Sequence, residues 1–214
     1  MTARTYGQFC ALARALDVVG ERWNLLVVRE LLTGPQRYTD LLNGLPGIST
    51  DVLAARLATL EEAGVVSRRV LPPPAASKVY ELTPEGHDLE PVLLALAAWG
   101  RRRLGPELDG EFRTHWLVLS LRSQFRPDAA AGVAVTVDFA VGRGRLRARI
   151  EDGALRFDTA PDDDDADVVV TADPATLAST DNDPDARARA LQDGTLRLEG
   201  DPEKLATVQA AFAG

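Results

Sequence analysis

Apolar positions in the first hundred residues recur at helical steps. Leu12, Leu16, Val19 and Trp23 lie three or four apart, and Leu25, Leu26, Val28, Leu31 and Leu32 continue the period until Gly34-Pro35 stops it. A short helix follows with Tyr38, Leu41 and Leu42 on one side, and Gly44-Leu45-Pro46-Gly47 breaks it. Ser49 is placed to cap the next helix, whose apolar face is Val52, Leu53, Leu57 and Leu60. Two β-rich stretches come next, 65–71 and 78–82, separated by Pro72-Pro73-Pro74-Ala75-Ala76-Ser77, which cannot enter a sheet ladder. Thr83-Pro84-Glu85 then starts a helix carrying Leu89, Val92, Leu93, Leu96 and Trp99.

After Gly105-Pro106 the period changes. An amphipathic helix is expected over 111–125, with Phe112, Trp116, Leu117, Leu119 and Leu121. Alternation then places Val133, Val135, Val137, Phe139 and Val141 on one strand face, and Leu146, Ala148 and Ile150 on one face of the next. Asp152-Gly153 marks a hairpin turn before Leu155 and Phe157. A strand at 168–170, helices from Asp173-Pro174 and over 186–191, a strand at 195–198 and a last helix from Asp201-Pro202-Glu203 to Phe212 complete the chain. Strands and helices mix without regular alternation, so the expected class is α+β in two domains, 6–105 and 106–214.

Composition narrows the chemistry. The 214 residues suffice for two ordinary domains. One cysteine and two histidines, His87 and His115, exclude a disulfide scaffold, a zinc finger and a multi-histidine metal centre. Arg4, Arg14, Asp17 and Glu21 interrupt any apolar signal core, and the longest apolar run, 92–99, is too short to span a bilayer, so a soluble cytoplasmic protein without membrane contact is expected. The net charge of −8 divides unevenly. Through Gly105 there are 12 Lys and Arg against 11 Asp and Glu, a net of +1, and from Pro106 onward 12 against 21, a net of −9. An acidic half repels phosphate, so any nucleic-acid contact belongs to the first half.

The helix begun at Ser49 turns Thr50, Asp51, Ala54, Ala55, Arg56 and Ala58 outward, mostly small side chains with one cation. Such a face suits close approach to a surface such as a DNA major groove, and equally an alanine-rich helix packed on its own domain. Helix, helix and a hairpin with Arg68, Arg69 and Lys78 at its base describe a winged helix-turn-helix, mainly helical with a β-hairpin wing. The three cations fit phosphate contacts or simple solvated strand charges. The apolar surface of Leu89, Val92, Leu96 and Trp99 fits a symmetric dimer contact or burial within the chain.

Cys10, Val19-Gly20-Glu21-Arg22-Trp23, Arg37-Tyr38-Thr39-Asp40-Leu41-Leu42, Gly47-Ile48-Ser49, 57–64, Tyr80-Glu81-Leu82-Thr83-Pro84-Glu85-Gly86 and Trp99 run in order over about 95 residues, and together they resemble the HxlR family of bacterial transcriptional regulators. Glu21 stands where that family often has lysine, and the wing tip is richer in proline. The resemblance implies a winged-helix homodimer on double-stranded operator DNA. Its candidate DNA contacts here are Arg37, Tyr38, Ser49, Thr50, Asp51, Ala54, Arg56, Arg68, Arg69 and Lys78. Some relatives sense oxidants through a cysteine near the start, which makes Cys10 the redox candidate against an ordinary buried helix cysteine.

In the second half, Ala166-Asp167-Val168-Val169-Val170-Thr171-Ala172-Asp173 and Leu191-Gln192-Asp193-Gly194-Thr195-Leu196-Arg197-Leu198-Glu199-Gly200-Asp201 resemble the sterol carrier protein type 2 family. That resemblance implies a five-stranded sheet under helices, with an apolar cavity for a lipid-like molecule. Phe112, Trp116, Phe139, Phe157 and Phe212 are candidate walls or plain core. Arg143, Arg145, Arg147 and Arg149 are expected to project from one sheet face, solvated or paired with the aspartates at 162–165. That acidic run lacks the sixth-position glycine of a calcium loop, and no phosphate loop or nucleophile elbow occurs. No enzyme activity, cofactor or metal is therefore expected. The reading is a dimeric DNA-binding regulator, a repressor, whose C-terminal domain senses an apolar small molecule or serves dimerisation. The alternatives are a lipid-binding or dimerisation protein using its winged helix for protein contacts, and a regulator sensing through Cys10.

Overall fold

The computed structural model describes residues 5–212 apart from 75, 102, 104–109, 160, 162–164, 181 and 182. Two compact units divide at Leu93 and Leu94. The expected junction at Gly105-Pro106 and the aspartates at 162–164 lie outside the described residues.

In the first unit α1 (Ala11–Val19), α2 (Asn24–Leu31), α3 (Tyr38–Gly44) and α4 (Thr50–Glu62) precede the antiparallel strands β1 (Val66–Val70) and β2 (Lys78–Leu82), then α5 (Pro84–His87) and the start of α6 (Glu90–Arg101). The core is Val27, Val28 and Leu31 of α2, Leu41 of α3, Leu53, Leu57 and Leu60 of α4, and Val66, Val79 and Leu82 of the hairpin, all buried. The apolar period runs unbroken from Leu12 to Leu32, but the chain does not. Trp23 takes a left-handed conformation (φ 84°) and separates α1 from α2. α1 consequently buries only Ala13 and Val19, leaving Leu12 68% exposed and Leu16 38%. The helix expected to run on from Thr83 also divides. Thr83 Oγ1 accepts the Gly86 N–H as predicted, but α5 stops at His87. Pro91 has no N–H to donate, and its ring would crowd the His87 carbonyl of a continuous helix.

The second unit holds a five-stranded mixed sheet in the order β5-β4-β3-β6-β7. Its strands are β3 (Ala134–Val141), β4 (Gly144–Glu151), β5 (Ala154–Asp158), β6 (Val168–Ala172) and β7 (Leu196–Gly200), with only β3 and β6 parallel. α7 (Leu117–Gln124) precedes the sheet, α8 (Pro174–Thr180) and α9 (Pro184–Asp193) join β6 to β7, and α10 (Pro202–Ala211) follows. Asp201 caps α10 by accepting the Glu203 and Lys204 N–H groups at 2.8 and 3.3 Å. The alternating residues Val135, Val137, Phe139 and Val141, with Leu146, Ala148 and Ile150, pack against Leu117 and Val118 of α7, Ala190 of α9, and Val208 and Ala211 of α10. The single helix expected over 111–125 is instead a 3-10 turn, Thr114–Trp116, leading into α7. Thr114 Oγ1 donates to the Val141 carbonyl at 3.3 Å and holds that turn on the β3–β4 hairpin.

The opposite sheet face keeps the expected pairing of an arginine with the acidic run, Arg147 with Asp165, and departs from expectation in its burial. Arg143 lies in the turn between β3 and β4, outside the arginine row. Arg149 is exposed, but Arg147 and its cross-strand partner Asp138 are both 0% exposed. Arg147 Nε and Nη2 donate to the two Asp138 oxygens at 2.7 and 2.9 Å, and Arg147 Nη1 donates to Asp165 at 2.9 Å. Arg145 Nε donates to Asp138 as well, at 2.7 Å. Burial pushes the Asp138 carboxyl up, but hydrogen bonds from Arg147 and Arg145, reinforced by their charges, hold it below the usual carboxylate range. A buried carboxylate surrounded this way stays ionised.

Candidate nucleic-acid interface

α3 and α4 form a helix-turn-helix whose turn is fixed at several points. The Arg37 N–H donates to the Asp40 carboxylate at 3.2 Å as α3 begins. Glu30, buried on α2, holds Arg29 through Oε1 at 2.6 and 3.0 Å. A Cβ at Gly44 would stand 2.4 Å from Glu30 Oε2, so glycine at the end of α3 leaves the Glu30 carboxylate in place. Gly47 takes φ 84° between the helices, where other residues are strained. Ser49 Oγ accepts the Val52 N–H at 3.4 Å and caps α4 as the sequence predicts. Tyr38 Oη donates to the Thr50 carbonyl at 2.7 Å and ties the start of α3 to the first turn of α4.

α4 turns Leu53, Leu57 and Leu60 inward and leaves Thr50, Asp51, Ala54, Ala55 and Ala58 exposed. Val52, expected on the apolar face, is 36% exposed, because the buried stripe runs through Leu53, Leu57 and Leu60 and leaves Val52 on its flank. Arg56 is half-buried. Its Nη1 meets Glu21 at 3.3 Å, and its buried Nε has no hydrogen-bond partner among the described residues.

On the wing, Arg68 meets Glu61 at 2.7 Å and lies 5.1 Å over the Tyr80 ring. Arg69 Nε donates to both Glu81 oxygens at 2.9 and 3.0 Å. Burial raises the Tyr80 hydroxyl above its usual value, with the Arg68 charge opposing the shift. Arg37 and Lys78 are exposed and make no ion pair among the described residues. The sequence reading found the cations and missed their partners. The Glu81 contact was legible in the hairpin register, since Glu81 lies diagonally across from Arg69. Glu21 and Glu61 approach their arginines only through the tertiary fold.

The remaining candidates fall elsewhere. Val92, Leu96 and Trp99 are exposed along α6, and Leu89 is half-buried just before it. The Trp99 ring has Arg103 of the following turn 3.6 Å above it. Cys10 is exposed at the N-cap of α1, not buried within a helix. Phe139 is buried in the second unit's core with Phe112, Phe157 and Phe212 packed against it, and Trp116 is half-buried. Among the described residues no cluster could hold a metal ion, and no helix is long and apolar enough to cross a membrane.

Comparison with known proteins places the first unit. The model of HxlR-like helix-turn-helix proteins matches residues 18–107. An uncharacterized HTH-type transcriptional regulator of Synechocystis, sll1512, is 38% identical over 94 residues, covering 44% of this chain and 70% of that protein. YvaP of Bacillus subtilis, also an uncharacterized HTH-type transcriptional regulator, is 38% identical over 93 residues, covering 44% and 86%. The HTH-type transcriptional regulator YodB of the same species is 38% identical over 85 residues, covering 40% and 76%. With the capped α3–α4 turn and the β1–β2 wing, these matches show that the chain belongs to the HxlR-like helix-turn-helix family.

Proposed function

We propose that the protein is a dimeric transcription regulator, a repressor, that reads double-stranded operator DNA through α4 and the β1–β2 wing. The observation that carries this reading is the exposed first turn of α4. Ser49, Thr50, Asp51 and Ala54 offer a small, polar end that fits a major groove, with Arg37, Tyr38 and Arg56 beside it and Arg68, Arg69 and Lys78 on the wing for phosphate. The relatives named as HTH-type transcriptional regulators support it. Two half-sites need two copies, and the exposed stripe of Val92, Leu96 and Trp99 is a suitable self-association face.

In this reading residues 6–105 bind DNA and dimerise, while 106–214 form a sterol-carrier-like sensor. The five-stranded sheet with its apolar face against helices supports the second role, with Phe112, Trp116, Phe139, Phe157 and Phe212 as candidate walls for an apolar ligand. The ligand acts by binding one arrangement of the dimer better than another, which changes operator affinity.

The test is fluorescence anisotropy of duplex DNA from upstream of the coding region, against an unrelated duplex and across salt. Sequence-selective, salt-sensitive binding that weakens in Arg56→Ala and Arg68→Ala is expected. Binding unaffected by either change would overturn the assignment of α4 and the wing. The exposure of Cys10 favours a second reading, in which an oxidant or electrophile acts on its thiol. Cys10→Ser should then abolish a response of DNA binding to oxidant, and an unchanged response removes Cys10 as the sensor.

A further inference from the structure

The elements that carry the proposed DNA contacts also carry their own counter-anions. Of the five candidate cations, Arg56 is held by Glu21 at 3.3 Å, Arg68 by Glu61 at 2.7 Å and Arg69 by Glu81 at 2.9 Å. The other two of the five, Arg37 and Lys78, make no ion pair among the described residues. The three glutamates come from separate elements: the turn before α2, the end of α4, and β2. We infer that Glu21, Glu61 and Glu81 are specificity-determining residues, which hold three arginines away from phosphate until base contacts favour their release. This inference rests on the DNA-binding reading above.

Non-specific association with DNA is driven by phosphate neutralisation and counterion release, and it engages whatever cations are free. With three arginines engaged internally, Arg37 and Lys78 are the candidate cations left to meet a random duplex. The arginine guanidinium donates to carboxylate and phosphate in the same forked geometry, so exchange between them needs no rebuilding of the site. All three pairs are partly in water, where such pairs are weak enough to exchange. An operator adds contacts from the first turn of α4 to base edges, and those contacts offset the opening of the pairs. Glu21 matters most, because Arg56 lies on α4 itself and points its Nη1 back toward the α1–α2 turn.

The test uses the full chain and a mixed-sequence duplex of about three helical turns. Glu21→Gln, Glu61→Gln and Glu81→Gln combined keep the size of each side chain and remove its charge. This variant should bind the duplex ~10-fold tighter or more, and its log K against log salt should steepen by about 0.9 for each arginine released to phosphate. A second triple variant, Glu62→Gln, Glu85→Gln and Asp88→Asn, makes the same charge change at exposed acids that pair with none of these arginines. It should change affinity less than about threefold, as expected for long-range charge alone. Equal tightening in both variants, or no tightening in the first, overturns the inference while leaving DNA binding intact. If neither the unsubstituted protein nor the first variant binds duplex in a salt-dependent way, the DNA-binding reading falls and this inference falls with it.

Discussion

In the first unit Arg56, Arg68 and Arg69 meet Glu21, Glu61 and Glu81 with both partners partly in water. In the second, Arg147 and Asp138 meet at 2.7 Å with neither exposed at all. The chemistry of the pairs is the same and the consequence differs. An exposed pair contributes roughly 0–1 kcal/mol and opens readily, so it can exchange carboxylate for phosphate. Breaking a buried pair leaves an uncompensated charge and costs about 3–5 kcal/mol, so it stays closed whenever the fold is intact. Solvent access therefore leaves the first set free to exchange partners and fixes the second as architecture.

The largest effect belongs to the buried set. Asp138→Asn should destabilise the second unit by about 3–5 kcal/mol, seen as lost hydrogen-exchange protection of β3 and β4 amides. A loss under about 1 kcal/mol would break the comparison, since the pair would then be behaving like a surface one. The same carboxyl sets a pH dependence. Asp138 titrates below the ordinary value of 3.8 in the folded chain, so its stabilisation is complete above that value and is lost as pH falls through the lower folded value. The stability difference between unsubstituted protein and Asp138→Asn should therefore shrink below about pH 4, as followed by urea titrations at stepped pH. A difference independent of pH down to acid unfolding would contradict the ionised pair.

Smaller effects sharpen the first unit. Ser49→Ala removes the cap of α4 and should cost about 1 kcal/mol, measured by thermal unfolding, together with weaker DNA binding. Smallest of all, Glu61→Gln or Glu81→Gln should shift stability by less than about 1 kcal/mol while changing duplex affinity. A large stability loss from either change would place these glutamates with Asp138 as structural groups.

Much of this was legible in the sequence. The caps at Ser49, Thr83 and Asp201 mark real helix starts, and alternation from Val133 to Ile150 gives the central hairpin with its buried face. The burial of Arg147 was also within reach. A two-residue turn at Gly142-Arg143 sets Asp138 opposite Arg147, and attention to the row of arginines alone hides that pairing. The helix break at Pro91 was marked by the proline itself. The break between α1 and α2 was marked only by Gly20 at the end of α1, because the apolar period passes on through the left-handed Trp23. The same holds for the proposed DNA contacts. Local pattern locates Arg56 and Arg68, but Glu21 is 35 positions before Arg56 in sequence and only folding brings them together.

The most direct test is hydroxyl-radical footprinting of the full chain on duplex from upstream of its coding region. The account predicts two protected stretches related by a dyad and centred about one helical turn apart, lost in Arg56→Ala. Uniform cleavage at protein concentrations that saturate anisotropy, or a pattern unchanged in Arg56→Ala, would contradict the reading of α4 as the element that enters the groove.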